Sequence, residues 1–162
     1  MKKLFLFAAL AVFGFTNVNA QEGGFKAGLT VGLPVGDADE VYSLALNAEF
    51  SYLFAVADSF EVGPTAGYLH YLVKSDYSDF VDGASFLPIG ATARFYASED
   101  LFFGADLGYG VGISPDGNDG GFYYKPKVGY NLGAVALVLS YSGVSVDGGT
   151  FNALGLGAEF SF

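Results

Sequence analysis

The chain has 162 residues and a net charge of −10, with 52% hydrophobic and only 15% charged residues, where soluble domains carry about 25% charged. Its surface is therefore not an ordinary wet one, and so acidic a chain offers little to neutralise nucleic-acid phosphates. With no cysteine, disulfide and thiol chemistry are excluded, and an exported chain of this kind must be held by its core or its membrane.

Lys2 and Lys3 precede an apolar run over residues 4–15, and Val18-Asn19-Ala20 supplies small residues before Gln21. The pattern predicts a cleaved signal peptide over 1–20. A membrane span needs about 20 apolar residues, and this run is too short. Residues 21–162 are then one domain, expected to start at Gln21.

Past that point, apolar and small or polar residues alternate in eight successive stretches, the period of a strand with two different faces. The first, 24–33, sets Phe25, Ala27, Leu29, Val31 and Leu33 against Lys26, Gly28, Thr30 and Gly32. After an acidic loop over 34–41, the second, 42–54, sets Tyr42, Leu44, Leu46, Ala48, Phe50, Tyr52 and Phe54 against Ser43, Asn47, Glu49 and Ser51. A short turn leads to a third, 60–70, with Phe60, Val62, Pro64, Ala66, Tyr68 and His70 opposing Glu61, Gly63, Thr65 and Gly67. A polar loop over 73–83 follows.

The fourth and fifth stretches read as a hairpin. Leu87, Ile89, Ala91, Ala93 and Phe95 alternate with Gly90, Thr92, Arg94 and Tyr96, and after Ser98-Glu99-Asp100 the pattern resumes from 101 to 113. Pairing Ala97 with Leu101 places Arg94 opposite Gly104 and diagonal to Asp106, about 7–8 Å away, which predicts an ion pair between them. A glycine-rich loop over 114–121 leads to the sixth stretch, where Phe122, Tyr124, Pro126, Val128 and Tyr130 oppose Tyr123, Lys125, Lys127 and Gly129. The seventh runs over 135–142. A long loop is expected over 143–150, and the eighth stretch ends the chain with Glu159 facing away from Leu156, Ala158, Phe160 and Phe162. The prolines of the third, fourth and sixth stretches each remove a ladder donor.

The apolar rows contain one ionisable residue, His70, while the polar rows hold Lys26, Arg94, Lys125, Lys127, Glu49, Glu61, Asp106 and Glu159, four charges of each sign. Short connections alternate with longer acidic ones, and aromatic residues collect at both ends of the apolar rows. An all-β, eight-stranded antiparallel transmembrane β-barrel with a filled polar interior accounts for this pattern. In lipid every backbone group needs a partner, so the sheet must close.

The segments FLPIGATARFY, LFFGADLGYGVGI, GFYYKPKVGYNLG and the terminal GLGAEFSF resemble the small outer-membrane β-barrel domain family, akin to the OmpX and OmpA barrels and the porin-family domains. The resemblance covers residues 24–162 and implies location in the cell outer membrane, contact with its lipid, and a barrel fold. Phe160 and Phe162, at alternate positions before the end, resemble the signal such barrels present to the barrel assembly machinery. The resemblance implies no single activity.

An eight-stranded barrel has an interior just wide enough for side chains to fill, so the eight charged residues are expected to pair within it and plug it. A structural or surface-interaction role of a monomer, without catalysis and without cofactor or metal, is the reading that follows. A narrow solute channel is one alternative. An outer-membrane lipid-modifying enzyme using His70 is another, which requires a nucleophile in reach; Ser43 and Ser85 are the serines that neighbouring strands could bring. Asp37, Asp39, Glu40, Asp76, Asp79, Asp82, Asp116, Asp119 and Asp147 lie in the loops against a single cation, Lys74. These loops are the candidate contact for an extracellular ligand of unspecified identity. The segment Asp116 to Gly121 hints at calcium but lacks the fifth-position ligand and terminal glutamate of an EF-hand loop. Solvated acidic loops are the expectation, and weak divalent-cation binding that bridges to anionic lipid headgroups is the alternative.

Overall fold

The structure, a computed structural model, describes residues 23–162; the segment expected to be a signal peptide lies outside the described residues. Eight strands, β1 (Gly23–Val35), β2 (Tyr42–Ala57), β3 (Phe60–Val73), β4 (Ala84–Tyr96), β5 (Leu101–Ser114), β6 (Gly121–Asn131), β7 (Val135–Val146) and β8 (Gly149–Ser161), pair antiparallel in chain order. β1 pairs with β8 from Lys26↔Ser161 to Val35↔Asn152, which closes the barrel.

Period-two alternation dictates which way each side chain points. Leu29, Leu33, Ile89, Leu107, Ile113, Leu137, Leu139 and Leu156 lie outside, each about half exposed or more, while Arg94, Asp106, Lys125 and Lys127 lie inside and buried. This inverts a soluble core. Exposed apolar area on this scale marks a surface that meets something other than water, and a closed sheet leaves no strand edge unpaired in lipid. The predicted hairpin register is observed: Arg94 faces Gly104 and Thr92 faces Asp106.

Three expectations are corrected. The connection after β7 is not a long loop: β7 runs to Val146, pairs there with Gly149, and turns on Asp147-Gly148 alone, with Gly148 at φ +92°. Asp-Gly is the dipeptide that a two-residue hairpin turn favours, because glycine takes positive φ without penalty. Its strand signal is masked by Gly143, Ser145 and Thr150, small or polar residues that still hold the ladder. Second, Tyr42 does not join the outer row. A register shift between Tyr42 and Leu44 turns its ring inward, where it is 8% exposed; a bulge of this kind re-aims side chains by one place. Third, the strands run past the residues where alternation was assigned, and their inward positions nearest the loops are apolar.

The interior is therefore layered rather than uniformly polar. At the loop end, Tyr42, Leu69, Tyr71, Phe86, Tyr123 and Val144 form a buried cluster with Phe151 packed on it. Its rings meet at 5.0–5.7 Å in tilted and edge-on pairs, the arrangement that aromatic quadrupoles favour. Along β6 the charged layer follows, at Lys125 and Lys127. Below it Phe102 packs with Ala136, Val138 and Tyr96. A Cβ on Gly129 would sit 2.1 Å from Cζ of Phe102, so the missing side chain there is what admits the ring.

Candidate functional site in the barrel interior

The charged layer is built by inward positions of five strands. On β6, Lys125 and Lys127 are two residues apart and point the same way, so both reach across to β2. Lys125 Nζ lies 2.8 Å from Glu49 Oε2 and donates to Asn47 Oδ1 at 3.1 Å. Lys127 Nζ lies 2.9 Å from Glu49 Oε1 and 2.8 Å from Asp106 Oδ1. One carboxylate thus holds two ammonium groups, and the second ammonium holds a further carboxylate. Arg94 stands apart from this chain of pairs. Its Nη2 donates to Glu159 Oε2 at 2.8 Å, and its Cζ lies 3.9 Å from the centroid of the Phe102 ring. A guanidinium over an aromatic face is favourable, more so when desolvated.

Arg94 therefore does not pair with Asp106. The cross-strand diagonal was legible from the hairpin, but Lys127 reaches Asp106 from the other neighbour, β6, whose register places Lys125 directly opposite Asp106. Glu159, on the strand that completes the barrel, takes Arg94. Two of the eight expected residues make no direct ion pair in this layer, Glu61 reaching Arg94 only through Tyr96. Lys26 is half-buried at the short-turn end and donates to Ser161 Oγ at 2.9 Å, and Glu61 Oε2 accepts from the Tyr96 hydroxyl at 2.9 Å. The remaining six carry three positive and three negative charges, all buried. Burying an ion is costly unless its partner and further hydrogen bonds compensate, and none of the three carboxylates of this layer is left without a cation.

His70 sits on the outer face opposite Ser85. Its Nδ1 is 2.8 Å from Ser85 Oγ, which also accepts from the Tyr68 hydroxyl at 3.0 Å, and the Tyr68 and His70 rings stack. The serine that sequence could only offer as a neighbour is thus in contact. It is 3% exposed, covered by His70 and by Tyr68, which is itself 46% exposed on the outer face. Among the described residues no group of three His, Asp or Glu side chains is arranged to hold a metal ion.

At the loop end, a 3-10 turn over Gly36–Glu40 follows β1. Lys74 ties this turn to the start of the 74–83 loop through the Asp39 carbonyl and carboxylate, and its own N–H donates to Val41 O at 2.9 Å. Beyond that anchor the loop raises Tyr77, Phe80 and Val81, with Phe80 86% exposed, among Asp76, Asp79 and Asp82. Sequence reading missed this apolar tip because acidic neighbours mask three residues without periodicity. It also missed the aromatic layer, which only extension of the inward row to Leu69, Tyr71, Phe86, Tyr123 and Phe151 would have found. Phe160 and Phe162 point outward at the short-turn end, and Phe162 N–H donates to Phe25 O at 2.9 Å.

No family model matches the chain, and no curated protein matches it in sequence. Solved structures do match its shape. The crystal structure of Ail, the attachment invasion locus protein of Yersinia pestis, superposes with a TM-score of 0.59 at 17% identity, over 86% of this chain and 97% of that one. The backbone structure of the Yersinia pestis outer membrane protein Ail in a phospholipid bilayer nanodisc gives 0.60 at 15% identity, over 87% and 100%. A de novo designed transmembrane β-barrel gives 0.55 at 14% identity, over 90% and 100%. At such identities the likeness speaks for the fold. With its apolar outer wall and paired charges within, the chain has the fold of the small eight-stranded transmembrane β-barrels of outer membranes.

Proposed function

We propose that the chain is an integral outer-membrane barrel whose plugged interior neither conducts nor catalyses, acting as a structural or surface-interaction protein through its loops. The observation that carries this reading is the layered interior: an aromatic layer, a charge-balanced ion-pair layer and the Phe102 layer lie one above another along the axis. A side-chain stack of this kind suits an eight-stranded barrel, which has no lumen to spare. The loops present an exposed apolar tip within a strongly acidic rim, and they suit contact with an extracellular partner. On this reading residues 1–20 are a cleaved signal, the mature protein is a monomer surrounded by outer-membrane lipid, and Phe160 and Phe162 address it to the assembly machinery.

Membrane fractionation with N-terminal sequencing tests location: recovery in outer membranes with a start at Gln21 is expected, and recovery from the soluble periplasm overturns the reading. Planar-bilayer recording tests the plug, with no steady conductance expected; a stable ohmic step would move the channel alternative ahead. The enzymatic alternative rests on the 2.8 Å contact of His70 with Ser85. A fluorophosphonate probe that labels Ser85 would favour it, whereas the shielded hydroxyl is expected to stay unlabelled.

A further inference from the structure

The strand ladders skip two steps at Pro64, Pro88 and Pro126, and at the last of these the outer wall carries a groove. Between β6 and β7 the ladder pairs Tyr124 with Gly143 and resumes only at Lys127 with Ser140, so the steps of Lys125 and Pro126 are missing. Pro126 has no N–H to give to the ladder. Over this break lies a groove of about 400 Å³ on the lipid-facing side, walled by Phe103, Pro126, Val128, Leu139, Tyr141 and Leu154. It is continuous with the apolar belt, for Leu139, Tyr141 and Leu154 are 48%, 37% and 49% exposed.

Lys127 and Ser140, whose side chains point inward, form part of the groove's floor, and a neutral polar pair stands at its loop end. One step nearer the loops, Tyr124, Gly143 and Asn152 stand side by side on β6, β7 and β8. The Tyr124 ring lies across Gly143, where a Cβ would come within 2.3 Å of its Cζ, and its hydroxyl donates to Asn152 Oδ1 at 2.7 Å. No charge faces outward along these rows. An apolar channel capped by a neutral hydroxyl–carboxamide pair matches a molecule with a hydrocarbon tail and an uncharged polar joint.

We infer that this groove is a specific site for one acyl chain of a bilayer lipid, with its ester region level with Tyr124 and Asn152. The inference rests on the membrane-embedded reading above. The wall is indented beside Pro126, and a flexible methylene chain fits an indentation that neighbouring side chains do not fill. Atoms lining a void forgo dispersion attraction on that side, and a chain lying in it restores that attraction.

The test uses the full mature barrel in vesicles of phosphatidylcholine that carries a diazirine midway along one acyl chain, irradiated and then mapped by mass spectrometry. Adducts on Val128, Leu139 and Leu154 are expected severalfold above those on Leu46 and Phe50, outward residues of the opposite wall. Leu139→Trp, which fills the groove, should bring the first set down to the level of the second, with β circular dichroism and protease resistance confirming an intact barrel. Adducts spread evenly around the barrel would overturn the acyl site. Cross-links to a second copy of the chain would overturn it too, by assigning the face to a protein contact. Absence of adducts from every outward row would refute the membrane reading itself, and the site with it.

Discussion

Arg94→Met is the sharpest probe of the interior. Arg94 and Glu159 are 1% and 4% exposed, with Nη2 2.8 Å from Oε2. Methionine preserves much of the volume, so the loss is electrostatic rather than a cavity. Removing one partner of a buried pair leaves an uncompensated charge and costs about 3–5 kcal/mol. The stacking on Phe102 belongs to the same guanidinium and does not add independently. Urea unfolding of the barrel in lipid vesicles, followed by tryptic protection or β circular dichroism, measures the change. The partner is then identified by coupling. Adding Glu159→Gln removes the orphaned charge and should restore about 1–3 kcal/mol relative to the sum of the single changes. Adding Asp106→Asn should come close to additive, since Asp106 is held by Lys127. Unchanged stability in Arg94→Met, or stronger coupling to Asp106 than to Glu159, would refute the pairing.

Lys127→Met should cost about 3–5 kcal/mol by the same route, because it strips a cation from both Glu49 and Asp106; Lys26→Met, at the barrel end, should fall within about 0.5 kcal/mol, and vesicle unfolding compares the two. Leu107→Arg, with Leu107 54% exposed in the outer row, should cost about 2–4 kcal/mol if the row lies at mid-bilayer; no penalty would mean that the faces are misassigned. Gly148→Val forces a branched side chain to φ +92°, a strain of about 1–3 kcal/mol, and equal stability in the unfolding assay would deny the two-residue turn.

Alternation told most of the fold, because every second residue must meet lipid and the rest must meet each other. Strand number, facing and the Arg94↔Gly104 register were all legible, since each follows from period two and a short turn. What alternation could not tell was which residue meets which across the barrel axis. Arg94 and Glu159 are 65 residues apart, and nothing local couples them. Period two also treats Gly108 as a tolerant inward position, where a serine should cost little beside Leu107→Arg. Yet a Cβ there would lie 2.2 Å from Ile89 O and 2.7 Å from Gly90 Cα, so β4 and β5 approach closely only because both residues are glycine. The loops followed local chemistry, and the Asp147-Gly148 turn went unread because a glycine-rich strand end looks like a loop.

The seam between β1 and β8 bears on how such a chain reaches its final form. Lys26 and Ser161, 135 residues apart, belong to the same ladder, which runs unbroken for ten residue pairs. Every other neighbouring pair of strands is local in sequence and can zip as a hairpin, but this one repays its loop-closure entropy only when the other seven ladders already hold their curvature. Until then β1 and β8 are both open edges, able to accept a foreign strand. The kinetics of the last joint, rather than the stability of any hairpin, should therefore set how fast the barrel matures, and the stability lost by substitutions along Lys26 to Val35 should show mainly as slower folding rather than faster unfolding.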